Sequence, residues 1–277
     1  MFILDPVFHK TIWGGNRLVN EYGEKAAGLG HLYSLRCKDK NSNIILNGKY
    51  AGKRIYDIIG EYPLSLAIVD AMQDLSIQVH PGGDSAKYES YFFIEAPKSG
   101  YIYCGIDNMS SRNTLSAIES DMILPHIGQV AVKKGDYIFI EPHTVHALTA
   151  GSLVYEIEHG EDNTYRLFDY NRSDTAGNKR SLQVQEAINV LEVSLKSTAF
   201  KYQPNTSIDE KTYTTKYLTN ITAYTNAESS CECITLLSGA ATIEGVPLKM
   251  GMTVFLEPNE KLEGLAIDQC IVARPLI

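Results

Sequence analysis

The sequence has no clustered positive charge. Its 25 Lys and Arg residues are scattered among 33 Asp and Glu, for a formal net charge of −8. The basic patch that nucleic acid or an anionic membrane surface requires is therefore missing, and neither partner is expected. Long apolar runs are missing too: no window approaches the ~18 continuous apolar residues of a membrane-crossing helix. The short apolar start of MFILDPVFHKTIWGG has no basic residues ahead of it, as a secretory leader would have. A soluble, cytoplasmic protein is the expectation. Cysteine is sparse and unpatterned: Cys37, Cys104, Cys231, Cys233 and Cys270 are odd in number and contain no CxxC pair. That argues against a disulfide framework and against a cysteine zinc site. Cys231 and Cys233, two apart, read as half-buried thiols on one strand face. Histidine is missing from the C-terminal part, since all seven lie at or before His159.

What is present is ordinary globular material, 277 residues with 44% hydrophobic and 21% charged, enough for one large domain or two moderate ones. Strand signals dominate. LSIQVHP, ESYFFIEAP, GYIYCGI, GDYIFIEP, SLVYEIEH, ECITLLSGAATIEG and MTVFLEP are short, rich in β-branched and aromatic residues, and bounded by Gly, Pro or Asn-Asp, the spacing of an all-β sandwich or barrel. Two stretches carry a helical period behind capping residues, 111–122 and 181–197. VKKGDYIFIEP (132–142) and LKMGMTVFLEP (248–258) match at Lys, Gly, Phe, Glu and Pro, which suggests two copies of one strand-turn-strand unit. The first copy is followed by HTVHAL, the second by NEKLEG. Of two barrels, the first is then the chemical one and the second structural.

The chemistry concentrates in LSIQVHPGGDSAKYESYFF. Residues two apart on a strand share a face, so Gln78 and His80 point the same way, and Glu89 opens the next strand. With His146 in the loop leaving a third, two imidazoles and a carboxylate would hold a divalent metal, and Gln78 would add a neutral oxygen. A histidine at a strand end is also a common hydrogen-bonded or surface residue, and His143, three residues before His146, competes for the same role. Spacing alone leaves these readings open. Further on, EDNTYRLFDYNR (161–172) groups Tyr165, Arg166, Asp169, Tyr170 and Arg172. There Arg166 would place a forked cationic donor beside the metal, unless the segment is simply a loop tied down by Arg-Asp pairs.

LSIQVHP, KYESYFF, KKGDYIFIEPHTVHAL and NTYRLFDYNR resemble, in order, four signature segments of the type I mannose-6-phosphate isomerases, which are zinc-dependent cupins. FHKTIWGGNRL and YPLSLAIVDAMQDLSIQVHP resemble two more, so the likeness covers roughly residues 1–195. It implies a mainly β, cupin-type (jelly-roll) fold with two barrels and a few helices. The metal-binding catalytic domain would occupy residues 1–195, and a smaller domain without metal ligands 196–277. It implies one Zn2+ per chain on Gln78, His80, Glu89 and His146, with Arg166 as the catalytic arginine and Lys87, Trp13 and Asp169 at the substrate. The implied substrate is a sugar phosphate and the implied assembly a monomer or homodimer. The implied reaction interconverts mannose 6-phosphate and fructose 6-phosphate through an enediol. Three features depart from the pattern: Ala67 stands where a lysine is usual, GHLYSL replaces a Gly-Glu-x-Trp-like segment, and HPGG replaces HPDD ahead of a shortened run to Glu89. Two other readings accompany the isomerase. One is a metal-binding cupin that senses or regulates through sugar phosphate, and the other a two-histidine, one-carboxylate Fe(II) site for oxygen chemistry, against which Gln78 argues by filling a position.

Overall fold

The computed structural model describes residues 1–107, 111–119, 122–174 and 176–276. Its middle layer is a seven-stranded antiparallel sheet in the order Phe200–Lys201, Asp136–Ile140, Lys87–Glu95, Leu153–Gly160, Leu64–Asp70, Leu29–Leu35, Val7–Gly15. Against one face packs a five-stranded sheet, ordered Tyr165–Phe168, Ile77–Val79, His146–Ala147, Tyr101–Ile106, Ile127–Ala131. Against the other packs a second seven-stranded sheet built mainly from C-terminal strands, among them Tyr213–Thr225, Glu232–Ala240, Thr253–Leu256 and Lys261–Pro275. The mainly β expectation is met, and each of the strand segments named from the sequence contains a strand.

Burial on both faces explains the composition of the middle layer. Alternate residues of a strand face opposite ways. In Leu64–Asp70, Leu64, Leu66 and Ile68 join Phe255, Ile271 and Tyr213 in one core, and Val69 joins Ile77, Val79 and Ile102 in another. A strand sandwiched this way loses the alternation of a half-solvated one, and LSLAIVD is buried at every position. A third cluster, around Ile3, Ile234, Leu236, Val254 and Ile267, fills the C-terminal barrel. The first residues of the chain contribute to it. Strand Phe2–Asp5 pairs with Thr253–Leu256, Phe2 opposite Phe255, and with Ile44–Ile45.

The repeated unit recurs as a turn feeding a strand, with the matched glycines, Gly135 and Gly251, at φ 78° and 85°. Only glycine visits that region without strain. The first expected helix is present as Ser111–Glu119, and residues 120 and 121 of that stretch lie outside the described residues. The second is shorter than 181–197. Helix Val184–Val190 starts after Gln183, not after a serine cap, and Leu191 is already extended. Tertiary bonds set both limits, because Gln183 N donates to Arg166 O and Glu192 N donates to His143 O. Each bond ties the chain to the metal-side barrel at a point where a longer helix would carry it away.

Candidate active site

His80, Glu89 and His146 meet inside the first barrel, all three buried. Strand pairing brings them there: His146 lies opposite Gln78, while Glu89 enters from the middle sheet on Lys87–Glu95. His80 Nε2 is 3.0 Å from Glu89 Oε1, and His146 Nε2 is 3.2 Å from Glu89 Oε2. The Gln78 amide completes the ring at 3.4 Å from His146 Nε2, and a half-turn of that amide presents its oxygen to the same point.

The group fits a metal ion on two counts. Bonds of 2.0–2.1 Å in tetrahedral geometry place ligand atoms roughly 3.3 Å apart, close to the observed spacings. The imidazoles are also set in the right tautomer. His80 Nδ1 donates to Asn163 O at 2.7 Å and His146 Nδ1 to Thr144 O at 3.0 Å, so each Nε2 carries its lone pair inward. Among the described residues, His80 Nε2 has no hydrogen-bond partner, although a buried polar atom is costly to leave unpaired. Burial lowers the His80 pKa, and the opposing pull of Glu89 does not cancel this, so the ring is neutral and ready to ligate at neutral pH. Burial would raise the Glu89 pKa, but its neighbours His80, Lys87 and His146 hold it well below the usual range.

His143 is elsewhere. Its Nδ1 donates to Val190 O at 2.7 Å and its backbone has φ 70°. That ring also gives a reason for the first glycine of HPGG, since a Cβ on Gly82 would lie 2.2 Å from His143 Nε2.

The metal group borders a cavity of about 450 Å³. Trp13, Lys87, Arg166 and Gln78 line it. Lys87, buried, donates to Glu158 Oε1 at 2.6 Å and Glu89 Oε1 at 2.8 Å, with Asp162 at 3.6 Å. Burial works against its charge, but these carboxylates raise its pKa well above the ordinary lysine value. Trp13 packs edge-on against His31 at 5.2 Å, and His31 stacks on Tyr33 at 5.4 Å. Asp169 is placed behind the wall, where its oxygens accept from Arg180 Nε (2.8 Å) and Nη2 (2.6 Å) and from Arg172 Nη2.

Sequence reasoning did not single out Arg180, Glu156, Glu158, Asp162 or Tyr91, all at the cavity. A signal existed for the glutamates: in LVYEIEHG, Tyr155 and Ile157 alternate with Glu156 and Glu158, which places both carboxylates on one face. Burial, then Glu158 and Glu89, push the Glu156 carboxyl well above its usual range.

No family model matches the chain. It is 31% identical over 210 residues to mannose-6-phosphate isomerase ManA of Bacillus subtilis, covering 68% of this chain and 67% of that protein. The chain belongs to the mannose-6-phosphate isomerase family. It is also 29% identical over 221 residues to the mannose-6-phosphate isomerase of Streptococcus mutans, covering 71% of this chain and 69% of that one. The crystal structure of the mannose 6-phosphate isomerase from Bacillus subtilis superposes with a TM-score of 0.82 at 23% identity over 99% of both chains, which places the cupin fold.

Against the family pattern, the shortened GGDSA link still delivers Glu89 to both histidines through a single turn, Gly83–Ser85. Ala67 falls in a row across four strands, Tyr91–Glu156–Ala67–Tyr33, so a lysine there would stand next to Glu156.

The Asp169 cluster carries a pH signature. Burial opposes the charge on Asp169, but hydrogen bonds from Arg180 and Arg172 hold its pKa below the usual carboxylate range. A depressed folded-state pKa stabilises above the unfolded value of about 3.9, and that stabilisation is lost as pH falls through the folded value. Asp169→Asn should cost about 1.5–3 kcal/mol at pH 7, and the difference from wild type should shrink below pH 4 in urea unfolding. An unchanged gap down to pH 3 would show that the charge on Asp169 contributes nothing.

Proposed function

We propose that this chain interconverts mannose 6-phosphate and fructose 6-phosphate, using one zinc ion held by Gln78, His80, Glu89 and His146. The observation that carries the reading is the convergence of two buried Nε2 atoms and both Glu89 oxygens at the wall of a sugar-sized cavity. A zinc ion held by these residues would supply Lewis-acid polarisation of the sugar's carbonyl and hydroxyl oxygens, easing proton transfer between carbons C1 and C2. The chain does the rest. The carbonyls of Asn163 and Thr144 orient the two imidazoles. Tyr91 and Lys87 donate to the two Glu89 oxygens and keep the carboxylate ionised. Arg166 lies opposite Gln78 on the neighbouring strand and supplies positive charge where negative charge develops on the sugar oxygen. Trp13 closes the wall against His31 and limits water.

Ala67 favours one competing reading, a sensor that binds sugar phosphate without turning it over. A coupled assay of mannose 6-phosphate conversion on protein of measured metal content separates the two. Zinc-loaded protein should convert the sugar, a chelator should stop it, and added zinc should restore it. Tight sugar-phosphate binding with no conversion above background in fully metallated protein would sink the isomerase and leave the sensor.

A further inference from the structure

A sugar phosphate has two ends, and the cavity is not symmetric between them. On strands of the middle sheet stand Glu89, Glu156 and Glu158, with Asp162 in the loop that follows Glu158. Lys87 sits among them within 3.6 Å of three carboxylates, so its ammonium is fully engaged. Ala67 adds no second cation there. A phosphate placed at this end would meet carboxylates.

The opposite side is cationic. Arg166 and Arg180 both line the cavity, and after burial it is Arg180 that most lowers the Arg166 pKa. Two guanidinium groups held near one another are mutually unfavourable unless an anion lies between them. Arg166 Nε is buried with no hydrogen-bond partner among the described residues. Arg180 is oriented by Asp169 through Nε and Nη2, leaving Nη1 for something else. Asp169 does not cancel it: the same carboxylate serves Arg172, so two guanidinium groups and one carboxylate leave one net positive charge. Position fits as well. Arg166 is one strand from the ligand Gln78, and Gln183 N donates to Arg166 O. The segment that carries Arg180 is thus tied to the strand beside Gln78.

We propose that Arg180 is the specificity-determining anchor for the phosphate of the substrate, with Asp169 as the residue that positions it. The proposal rests on the sugar-phosphate reading above and assigns the two ends of the cavity. C1 and C2 go to the metal group and Arg166, and the phosphate on C6 goes to Arg180. With Ala67 in place of lysine, phosphate recognition in this chain depends on the arginine side.

The test uses the zinc-loaded protein with Arg180→Gln, Arg180→Lys and Asp169→Asn. A forked guanidinium on phosphate is not replaced by an amide, so Arg180→Gln should raise KM for mannose 6-phosphate and Ki for inorganic phosphate by about 10-fold or more, with kcat within about 3-fold. Arg180→Lys should fall between, and Asp169→Asn should raise KM less than Arg180→Gln. KM and Ki within about 2-fold of wild type in Arg180→Gln would overturn the assignment, as would a collapse of kcat at unchanged KM. If Arg180→Gln does not fold, Arg180→Lys decides by the same two constants. If wild type shows no turnover, calorimetric binding of inorganic phosphate and fructose 6-phosphate still decides. A 10-fold loss on Arg180→Gln upholds the anchor while the isomerase reading falls, and equal affinity overturns the anchor.

Discussion

His146→Ala should abolish stoichiometric metal binding and reduce mannose 6-phosphate turnover by about 10³-fold or more, the scale expected when several kcal/mol of charge stabilisation is lost. His143→Ala should retain its metal. The two rings are three residues apart in sequence, yet only His146 brings Nε2 within 3.2 Å of Glu89, while His143 turns away to Val190 O. Loss of one imidazole leaves His80 and Glu89 with Gln78, too few strong donors for a closed site. Metal content by elemental analysis, measured alongside kcat, reads the result. Equal metal content in His146→Ala and wild type would remove the site from this barrel. Loss of metal from His143→Ala alone would move it by one turn of chain.

Lys87→Met should lower stability by about 3–5 kcal/mol, the cost of removing one partner from a buried ion cluster. Lys87 is 5% exposed, and methionine would leave Glu89 and Glu158 facing each other across the space its ammonium holds. Adding Glu158→Gln to the same chain should recover part of the loss, because one uncompensated carboxylate disappears. The pH dependence follows from direction: the Lys87 pKa is raised, so its contribution is full below about 10.4 and fades as pH climbs through the higher folded value. Metal affinity should fall with it, since Glu89 loses a cation that keeps it ionised. Urea unfolding of the two variants checks the magnitude. A loss under about 1 kcal/mol would mean that the cluster is solvated and screened.

Local pattern carried much of this in the sequence. Alternation revealed that Gln78 and His80 share a face, and β-branched runs between turn residues marked the strands. Long-range pairing left no such trace. Nothing in FILD announces that Phe2 will lie opposite Phe255, and nothing near Arg180 announces that its carboxylate partner stands eleven residues earlier. The choice between His143 and His146 was likewise invisible in spacing. It depends on a positive φ at His143 and a glycine beneath its ring, features of the folded chain that residue types do not encode singly. Helix 181–197 was too long by its ends because helical period reports side-chain faces, whereas the true limits are backbone bonds to Arg166 and His143.

Glu89 and Ser90 are neighbours that look into different cores. Glu89 meets the metal-side histidines, and Ser90 bonds to Tyr137 OH at 2.6 Å and to Tyr213 OH on a strand of the C-terminal sheet. One peptide bond thus joins the carboxylate's residue to one bonded to a tyrosine from beyond His159, where the chain holds no histidine. A change of side-chain volume at Tyr213 would therefore bear on the strand that carries Glu89. Selection on the chemistry would then act on residues that never meet the substrate.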